Sequence, residues 1–142
     1  MTTRPPLAGG LTALLLAAAL LPGCGSSGST ATASAGNRPT TAAKLEITSP
    51  APGAVTGRSV DLLLHLEHGR LVAPIQMGGR LYPDRGHIHV LVDGTLVAMP
   101  LRLVQPLPKL TRGVHTVEAE FVAADHLPFA NAVVAAVTFR VK

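Results

Sequence analysis

Apolar and polar residues alternate along several segments of the chain after residue 44. Every second position is apolar in 60–66, 88–92, 117–121 and 133–141. Successive side chains of a strand point to opposite faces, so this period indicates strands with one face on a hydrophobic core. The predicted core positions are Val60, Leu62, Leu64, Leu66, Ile88, Val90, Val92, Val117, Ala119, Phe121, Val133, Ala135, Val137, Phe139 and Val141.

Turn residues separate these strands. Asp93-Gly94 stands between two β-prone runs and predicts a type I′ hairpin, since glycine tolerates a positive φ. Residues 101–110 contain two prolines, which predict an edge strand or a loop. About seven short strands in about 100 residues indicate an antiparallel β-sandwich over residues 44–142.

The first 24 residues have a different pattern, an apolar run at 11–21 followed by Leu21-Pro22-Gly23-Cys24. A bilayer-spanning helix needs about 20 apolar residues, so this run has instead the length of a signal-peptide core. The tetrapeptide resembles the lipobox of bacterial lipoproteins, although Pro22 departs from its commonest form. The resemblance implies that residues 1–23 are a cleaved lipoprotein signal peptide. It also implies that Cys24 carries a diacylglycerol and an N-acyl chain such as palmitate. A plain secretory signal with an incidental cysteine is the alternative.

Residues 24–43 contain no large apolar side chain. Such a segment cannot offset the entropy lost on ordering, so we predict a disordered Gly/Ser/Thr/Ala tether. Two or three acyl chains anchor a protein stably to a membrane. We therefore expect an exported domain on the outer face of the cell membrane, with the membrane and an unidentified cell-envelope protein or ligand as partners.

Composition narrows the function classes. Cys24 is the single cysteine, which argues against a disulfide scaffold or a cysteine-rich metal site. The formal net charge is +4, but the basic residues are scattered, so no nucleic-acid partner is predicted. The chain has no Gly-x-Ser-x-Gly motif and no phosphate-binding loop. We predict that it is not an enzyme.

Three segments carry a family resemblance: Gly86-His-Ile-His-Val-Leu-Val-Asp-Gly94, Leu110-Thr-Arg-Gly-Val-His-Thr-Val117 and Glu120-Phe-Val-Ala-Ala-Asp-His-Leu-Pro128. They resemble a group of exported bacterial Ig-like domains of unknown function. The resemblance covers most of residues 44–142 and implies an Ig-like fold, but it implies little about activity. The Ala-, Gly- and Arg-rich composition is typical of an actinobacterial source.

The six histidines are the unusual chemistry of this chain. His87 and His89 lie two positions apart and so share a strand face. His126 lies in a loop that can approach this face in an Ig-like sandwich. His-x-His with a distant histidine is a ligand set that suits copper or zinc, and Met77 or Met99 would add a thioether for Cu(I).

A structural role competes with the metal hypothesis. His115 follows a turn glycine on an apolar face, so we expect it to hydrogen-bond to backbone as a tyrosine corner does. His87 and His89 are expected to bond across the sandwich or to the Asp125 loop. A pH-responsive cluster is a third interpretation. The residue pattern favours the structural interpretation.

Two function classes follow from these observations. The first is a non-catalytic cell-surface binding or scaffold module with an unknown partner and no cofactor beyond the lipid on Cys24. The alternative is a lipoprotein that handles copper or zinc through His87, His89 and His126. A pull-down from membrane extracts with the soluble domain distinguishes the two classes. A specific protein partner would favour the first class, and copper or zinc that co-purifies with the domain would favour the second.

Overall fold

The computed structural model describes residues 38–75 and 79–142. Within these ranges the chain forms nine strands and no helix, so it has no helix that could cross a membrane. The strands are β1 (Lys44–Ser49), β2 (Val55–Thr56), β3 (Asp61–Glu67), β4 (Arg70–Leu71), β5 (Arg85–Val92), β6 (Thr95–Ala98), β7 (Val104–Pro106), β8 (Gly113–Ala123) and β9 (Val134–Val141). The predicted signal peptide, the lipidation site at Cys24 and the side chain of Met77 lie outside the described residues.

The strands form two sheets. The smaller sheet has the order β1-β3-β7, and the larger has the order β2-β9-β8-β5-β4 with β6 paired to β5. The longer pairs are antiparallel, while the two-residue strands β2 and β4 pair in parallel with β9 and β5. As the prolines of 101–110 predict, β7 lies at an edge. The predicted all-β, Ig-like sandwich is confirmed.

The core lies between the two sheets, and its residues come from the predicted apolar faces. Leu62 of the smaller sheet and Ile88, Val117 and Phe121 of the larger are fully buried in one apolar cluster. Burying apolar surface stabilises a fold by about 25 cal/mol per Å². The alternation along the chain therefore accounts for the main stabilising contacts of the sandwich.

The β5–β6 hairpin turns at the predicted residues. Asp93 and Gly94 have φ values of 50° and 79°, as a type I′ turn requires. The Asp93 carboxylate ties the turn to β8, because its Oδ1 accepts a hydrogen bond from the backbone N of Thr116 at 2.9 Å. This turn places the start of β8 beside the end of β5.

The contacts of the folded domain begin before Lys44. The backbone N of Ala130 donates to the Pro39 carbonyl at 3.0 Å. The Asn131 side chain bonds both the N and the O of Thr41, at 2.8 and 2.9 Å, and Ala43 belongs to the core. Residues 38–43, which composition assigns to the tether, therefore contact the folded domain whose predicted start is Lys44. These contacts cannot be predicted from composition, because the residues are held mostly by hydrogen bonds of their backbone to a distant loop. Large apolar side chains, which composition would show, are absent from the segment.

The start of β5 lies close against the end of β8. A Cβ on Gly86 would lie 1.9 Å from the carbonyl oxygen of Val122, so only glycine fits there. Segment 72–75 crosses this end of the larger sheet: the N of Val72 donates to the Gly86 carbonyl, and the N of Ile75 donates to the Ala124 carbonyl, each at 2.8 Å. Segment 72–75 is therefore hydrogen-bonded to β5 at Gly86 and to the end of β8 at Ala124.

Burial at this end of the larger sheet departs from the simple alternation. His87 and Val122 are register partners on the outer face, away from the core. They are nevertheless 0% and 1% exposed. The outer face is thus apolar and dry beside His87, and it becomes more accessible towards His89.

Candidate metal centre

Three imidazoles meet on the outer face of the larger sheet. They belong to His87 and His89 of β5 and to His126 of the β8–β9 loop, and we call them the imidazole trio. The Nε2 of His87 lies 3.1 Å from the Nε2 of His89 and 3.0 Å from the Nδ1 of His126, and the last two atoms are 3.3 Å apart. Among the described residues, this is the group of potential metal-ligating side chains that the fold brings together.

Local backbone structure positions each member of the trio. The two-residue period of β5 sends His87 and His89 to the same side. His126 has a φ of 68°, a conformation uncommon for residues other than glycine. A tight turn holds it, since the N of His126 donates to the Ala123 carbonyl and the N of Ala123 donates to the Leu127 carbonyl, both at 3.0 Å.

Solvent reaches the trio from one side only. His87 is fully buried, His89 is half-buried and His126 is exposed. Burial, reinforced by His126 and His89, lowers the pKa of His87 to about 4. Burial and His126 also lower the pKa of His89. Both imidazoles are therefore neutral at neutral pH, the form in which histidine binds metals.

Hydrogen bonding alone does not satisfy the three facing nitrogens. Each nitrogen of a neutral imidazole either donates or accepts a hydrogen bond. Since all three nitrogens contact one another, at least two donors or two acceptors must face each other, and that contact is not a hydrogen bond. A central cation would take a lone pair from each nitrogen. The other ring nitrogen of His87, Nδ1, is buried and has no hydrogen-bond partner among the described residues.

The expected structural bonds of His87 and His89 differ from the observed ones. Within the described ranges, their side chains form no hydrogen bond across the sandwich or to Asp125, and their ring contacts are with each other and with His126. The two side chains point away from the core, because the β5 positions that face the core are Ile88, Val90 and Val92. The geometry of the trio therefore favours the ligand hypothesis over the structural one.

The triangle of nitrogens has the size that a first-row metal ion needs. With separations of 3.0–3.3 Å, the three nitrogens are close enough for one ion to be bound by all of them at the usual zinc–nitrogen distance of about 2.0–2.1 Å. Three protein ligands leave a fourth position for water or another ligand. On this domain the exposed side of His126 is where such a ligand has access.

Acidic residues lie around the trio. Glu120 is the direct register partner of His89, and Glu118 is the partner of Leu91. Burial raises the pKa of Glu120, and the neighbouring Glu118 contributes to the rise. The sequence pattern marks these glutamates only as the polar side of β8. The β5–β8 register, which decides that Glu120 stands beside His89, is a tertiary feature.

Asp125 precedes His126 and is paired with Arg38. The guanidinium donates to both carboxylate oxygens at 2.9 Å. Its hydrogen bonds hold the pKa of Asp125 below the usual value. Sequence analysis missed Arg38 because it lies in the predicted tether, where its signal is a single charge in an otherwise uncharged stretch.

The predicted thioether ligand Met99 lies elsewhere, as does His65, which was not predicted to be a ligand. Met99 follows β6, is half-exposed and lines an open depression with Pro100, Leu101, Arg102 and Gln105. His65 belongs to β3 of the smaller sheet and contacts Glu67 at 3.4 Å. In the described part of the chain, neither side chain forms a hydrogen bond with a member of the trio.

His115 occupies a separate, structural position. Its Nε2 contacts the Thr111 carbonyl at 3.0 Å and its Nδ1 contacts the Oδ2 of Asp93 at 2.6 Å. The expected bond to backbone is present. Both ring nitrogens face acceptors, so the imidazolium form satisfies both contacts. The Asp93 hydrogen bond, followed by that of Thr111, raises the pKa of His115.

We expect this pair to make the domain less stable at alkaline pH. The contribution of His115 is complete below its unfolded pKa of about 6.5 and is lost as pH rises through the raised folded pKa. Asp93 is half-exposed and solvent screens the pair, so the loss is on the order of 1 kcal/mol. Urea unfolding of the wild type and of His115→Gln between about pH 6.5 and 9 measures it.

The control for the pH experiment is His65→Gln, which removes an exposed imidazole and should keep the wild-type pH profile. His87 and His89 are present in both proteins, so their contribution cancels in the difference between the wild-type and His115→Gln profiles. A His115→Gln profile that falls as steeply as that of the wild type would contradict the assignment.

Comparison with known proteins identifies no family for this chain. No protein-family model matches the chain, and no curated protein is significantly similar to it. Among solved structures, the chain is similar to a fibronectin(III)-like module of CbhA from Clostridium thermocellum, with 16% identity, 69% of this chain and 95% of that chain covered, and a TM-score of 0.46.

Two further solved structures are similar to this chain. A lytic polysaccharide monooxygenase from Jonesia denitrificans has 23% identity, covers 66% of this chain and 60% of its own, and gives a TM-score of 0.40. CopC from Methylosinus trichosporium OB3b has 19% identity, covers 75% and 94%, and gives a TM-score of 0.34. Similarity at this level defines neither an activity nor a ligand for this chain.

Proposed function

We propose that this protein is a metal-handling lipoprotein whose domain binds one copper or zinc ion through His87, His89 and His126. The observation that carries the proposal is the mutual approach of three imidazole nitrogens within 3.0–3.3 Å. No combination of tautomers of three neutral imidazoles turns all three contacts into hydrogen bonds. One cation bound by all three nitrogens would satisfy them.

The chemistry of the donors supports copper and zinc. Neutral imidazole suits Zn, Cu, Fe and Ni, and affinity for divalent ions generally peaks at Cu²⁺. A set of three nitrogens with a solvent-facing side leaves room for a further ligand. This combination suits a module that takes up and releases an ion, and it separates the proposal from the scaffold hypothesis, which requires no such cluster.

Metal titration of the full-length protein tests this function. We expect micromolar or tighter binding of Cu²⁺ or Zn²⁺ at a stoichiometry of one, because three imidazoles are preorganised on one face. His126→Ala is expected to weaken binding by at least about 100-fold, since even removing groups that only support a ligand costs about 10–100-fold.

The matched control for this titration is His65→Ala, which removes an imidazole from the smaller sheet and should leave the affinity unchanged. Absence of binding by the wild type contradicts the proposal. Equal affinities for the wild type and for His126→Ala would assign the binding to another site.

The lipid anchor is the second part of the proposal. Its support is the apolar run at 11–21 that ends in Leu21-Pro22-Gly23-Cys24. We expect the protein to incorporate a labelled fatty acid in a bacterial host and to fractionate with membranes. Cys24→Ala should lose both the label and the membrane association, while Ser26→Ala should keep both. Retention of Cys24→Ala on membranes would show that something other than the lipid holds the protein there.

A further inference from the structure

We propose that Arg38 is a positioning residue for His126, so that the chain segment 38–41 completes the imidazole trio. This inference rests on the proposed function. It concerns how the third ligand is held, and it assigns a role to a residue that lies 87 positions from Asp125 in the sequence.

The Arg38 guanidinium hydrogen-bonds to residues that precede and follow His126 in the chain. Before it, the Asp125 carboxylate accepts two hydrogen bonds from Arg38 at 2.9 Å. After it, the Leu127 carbonyl accepts a third at 2.8 Å, and the Pro128 carbonyl accepts one from Nε. The Arg38 and Asp125 side chains are only 15% and 11% exposed. This bidentate, partly buried pair is of the strong type.

His126 depends on these contacts more than the other two imidazoles do. Its backbone is held at a φ of 68°, and its exposed ring contacts only His87 and His89 in the described hydrogen bonds. A residue other than glycine keeps such a φ only where its surroundings enforce it. The bonds from Arg38 to residues 125, 127 and 128 add to the backbone bonds of the tight turn in supplying that constraint.

The neighbours of Arg38 extend the same contact. The Pro39 carbonyl accepts a hydrogen bond from Ala130, and Thr41 exchanges two with the Asn131 side chain. Segment 38–41 therefore runs along the β8–β9 loop from Asp125 to Asn131 and fastens it at both ends.

His87 and His89 are positioned independently of this segment. Their β5 strand is paired with β8 over the full register from Gly86 to Val92. Loss of Arg38 is therefore expected to release one imidazole of three and to leave the other two in place. A general loss of stability would instead affect all three.

Lysine is not expected to replace arginine here. The guanidinium presents several donors in a planar fork, which bonds a carboxylate and two carbonyls at once, while an ammonium is a point charge on a flexible stem. Arg38→Lys keeps the charge and the bulk, so it separates the geometry of the fork from simple charge pairing and also covers the case in which Arg38→Ala fails to fold.

The test compares full-length wild type, Arg38→Ala, Arg38→Lys and Arg58→Ala. Arg58 is the matched control, because its Nε donates to the Leu110 carbonyl at 2.8 Å and its contact involves no residue of the trio or its loop. The first measurement is hydrogen–deuterium exchange of the metal-free proteins over residues 123–129. The second is electron paramagnetic resonance of the Cu²⁺ complexes, which counts coordinated imidazole nitrogens.

In both Arg38 variants we expect exchange at 123–129 to become at least about tenfold faster while β5 stays protected, as local opening allows. We expect the copper signal to change from three nitrogens to two and the affinity to fall about 10–100-fold. Arg58→Ala should match the wild type in both measurements.

Two results would overturn the inference: unchanged exchange at 123–129 in the Arg38 variants, or three coordinated nitrogens in Arg38→Ala. The exchange measurement needs no metal. A wild type that binds no copper or zinc would overturn the proposed function, while the loop exchange would still decide whether Arg38 positions His126.

Discussion

Val117→Asp is expected to prevent the domain from folding. Val117 is fully buried in the centre of β8, and its neighbours across the strands are Val92 of β5 and Val137 of β9. An unpaired carboxylate at this position costs several kcal/mol in the folded state. Domains are stable by only about 5–15 kcal/mol, so the substitution removes most or all of that margin. Loss of the β-type circular dichroism spectrum and of a cooperative thermal transition measures the effect.

Val114→Asp is the matched control, because it makes the same change on the same strand at a position 55% exposed. We expect it to stay folded, with a change within about 0.5 kcal/mol. If both variants unfold, or neither does, the two faces of β8 are not divided between core and solvent as described.

Metal binding is expected to stabilise the domain, and this effect should disappear in His126→Ala. A ligand that binds only the folded state at 100 times its Kd adds about 2.7 kcal/mol to the free energy of unfolding. For a domain of this size each kcal/mol raises the Tm by about 4–8 °C, so Cu²⁺ or Zn²⁺ should raise it by about 10–20 °C. Calorimetric scans with increasing metal measure the shift. Binding of the same ion to histidines of the unfolded chain reduces it.

His126 is the informative position for this experiment, because its side chain is exposed and its removal leaves the core intact. The control, His65→Ala, should show the full metal-induced shift. A shift of equal size in His126→Ala would show that the ion stabilises the fold from a different site. Calorimetry thus tests whether the trio is the metal-binding site without a direct measurement of affinity.

The surroundings of the trio indicate how an ion would be exchanged. The buried His87 lies on the paired strand β5, and the exposed His126 lies on the β8–β9 loop. A ligand on a loop can leave the ion while ligands on a paired strand remain. On the proposals above, Arg38 holds the loop that carries this imidazole through its bonds to residues 125, 127 and 128.

Local sequence by itself determined most of the strands and the shared face of His87 and His89. The two-residue period needs only neighbouring residues to be expressed, and the Asp93-Gly94 turn is decided by the two residues that occupy it. The backbone bond of His115 was predictable for the same reason, since its partner Thr111 lies four residues away. The contacts of residues 38–43 with the domain were not predictable from composition, which was the only basis for placing the tether boundary at Lys44.

Only the tertiary structure decided that the site exists as a set of three. His126 and His87 are 39 residues apart and Arg38 and Asp125 are 87 apart, and no local period relates such positions. Their approach depends on the register of β5 with β8 and on the close passage that Gly86 permits. The burial of His87 on the outer face is likewise not predictable from the alternation of its own strand. Local steric preferences set which way a side chain points along a strand, whereas long-range pairing sets what it meets there.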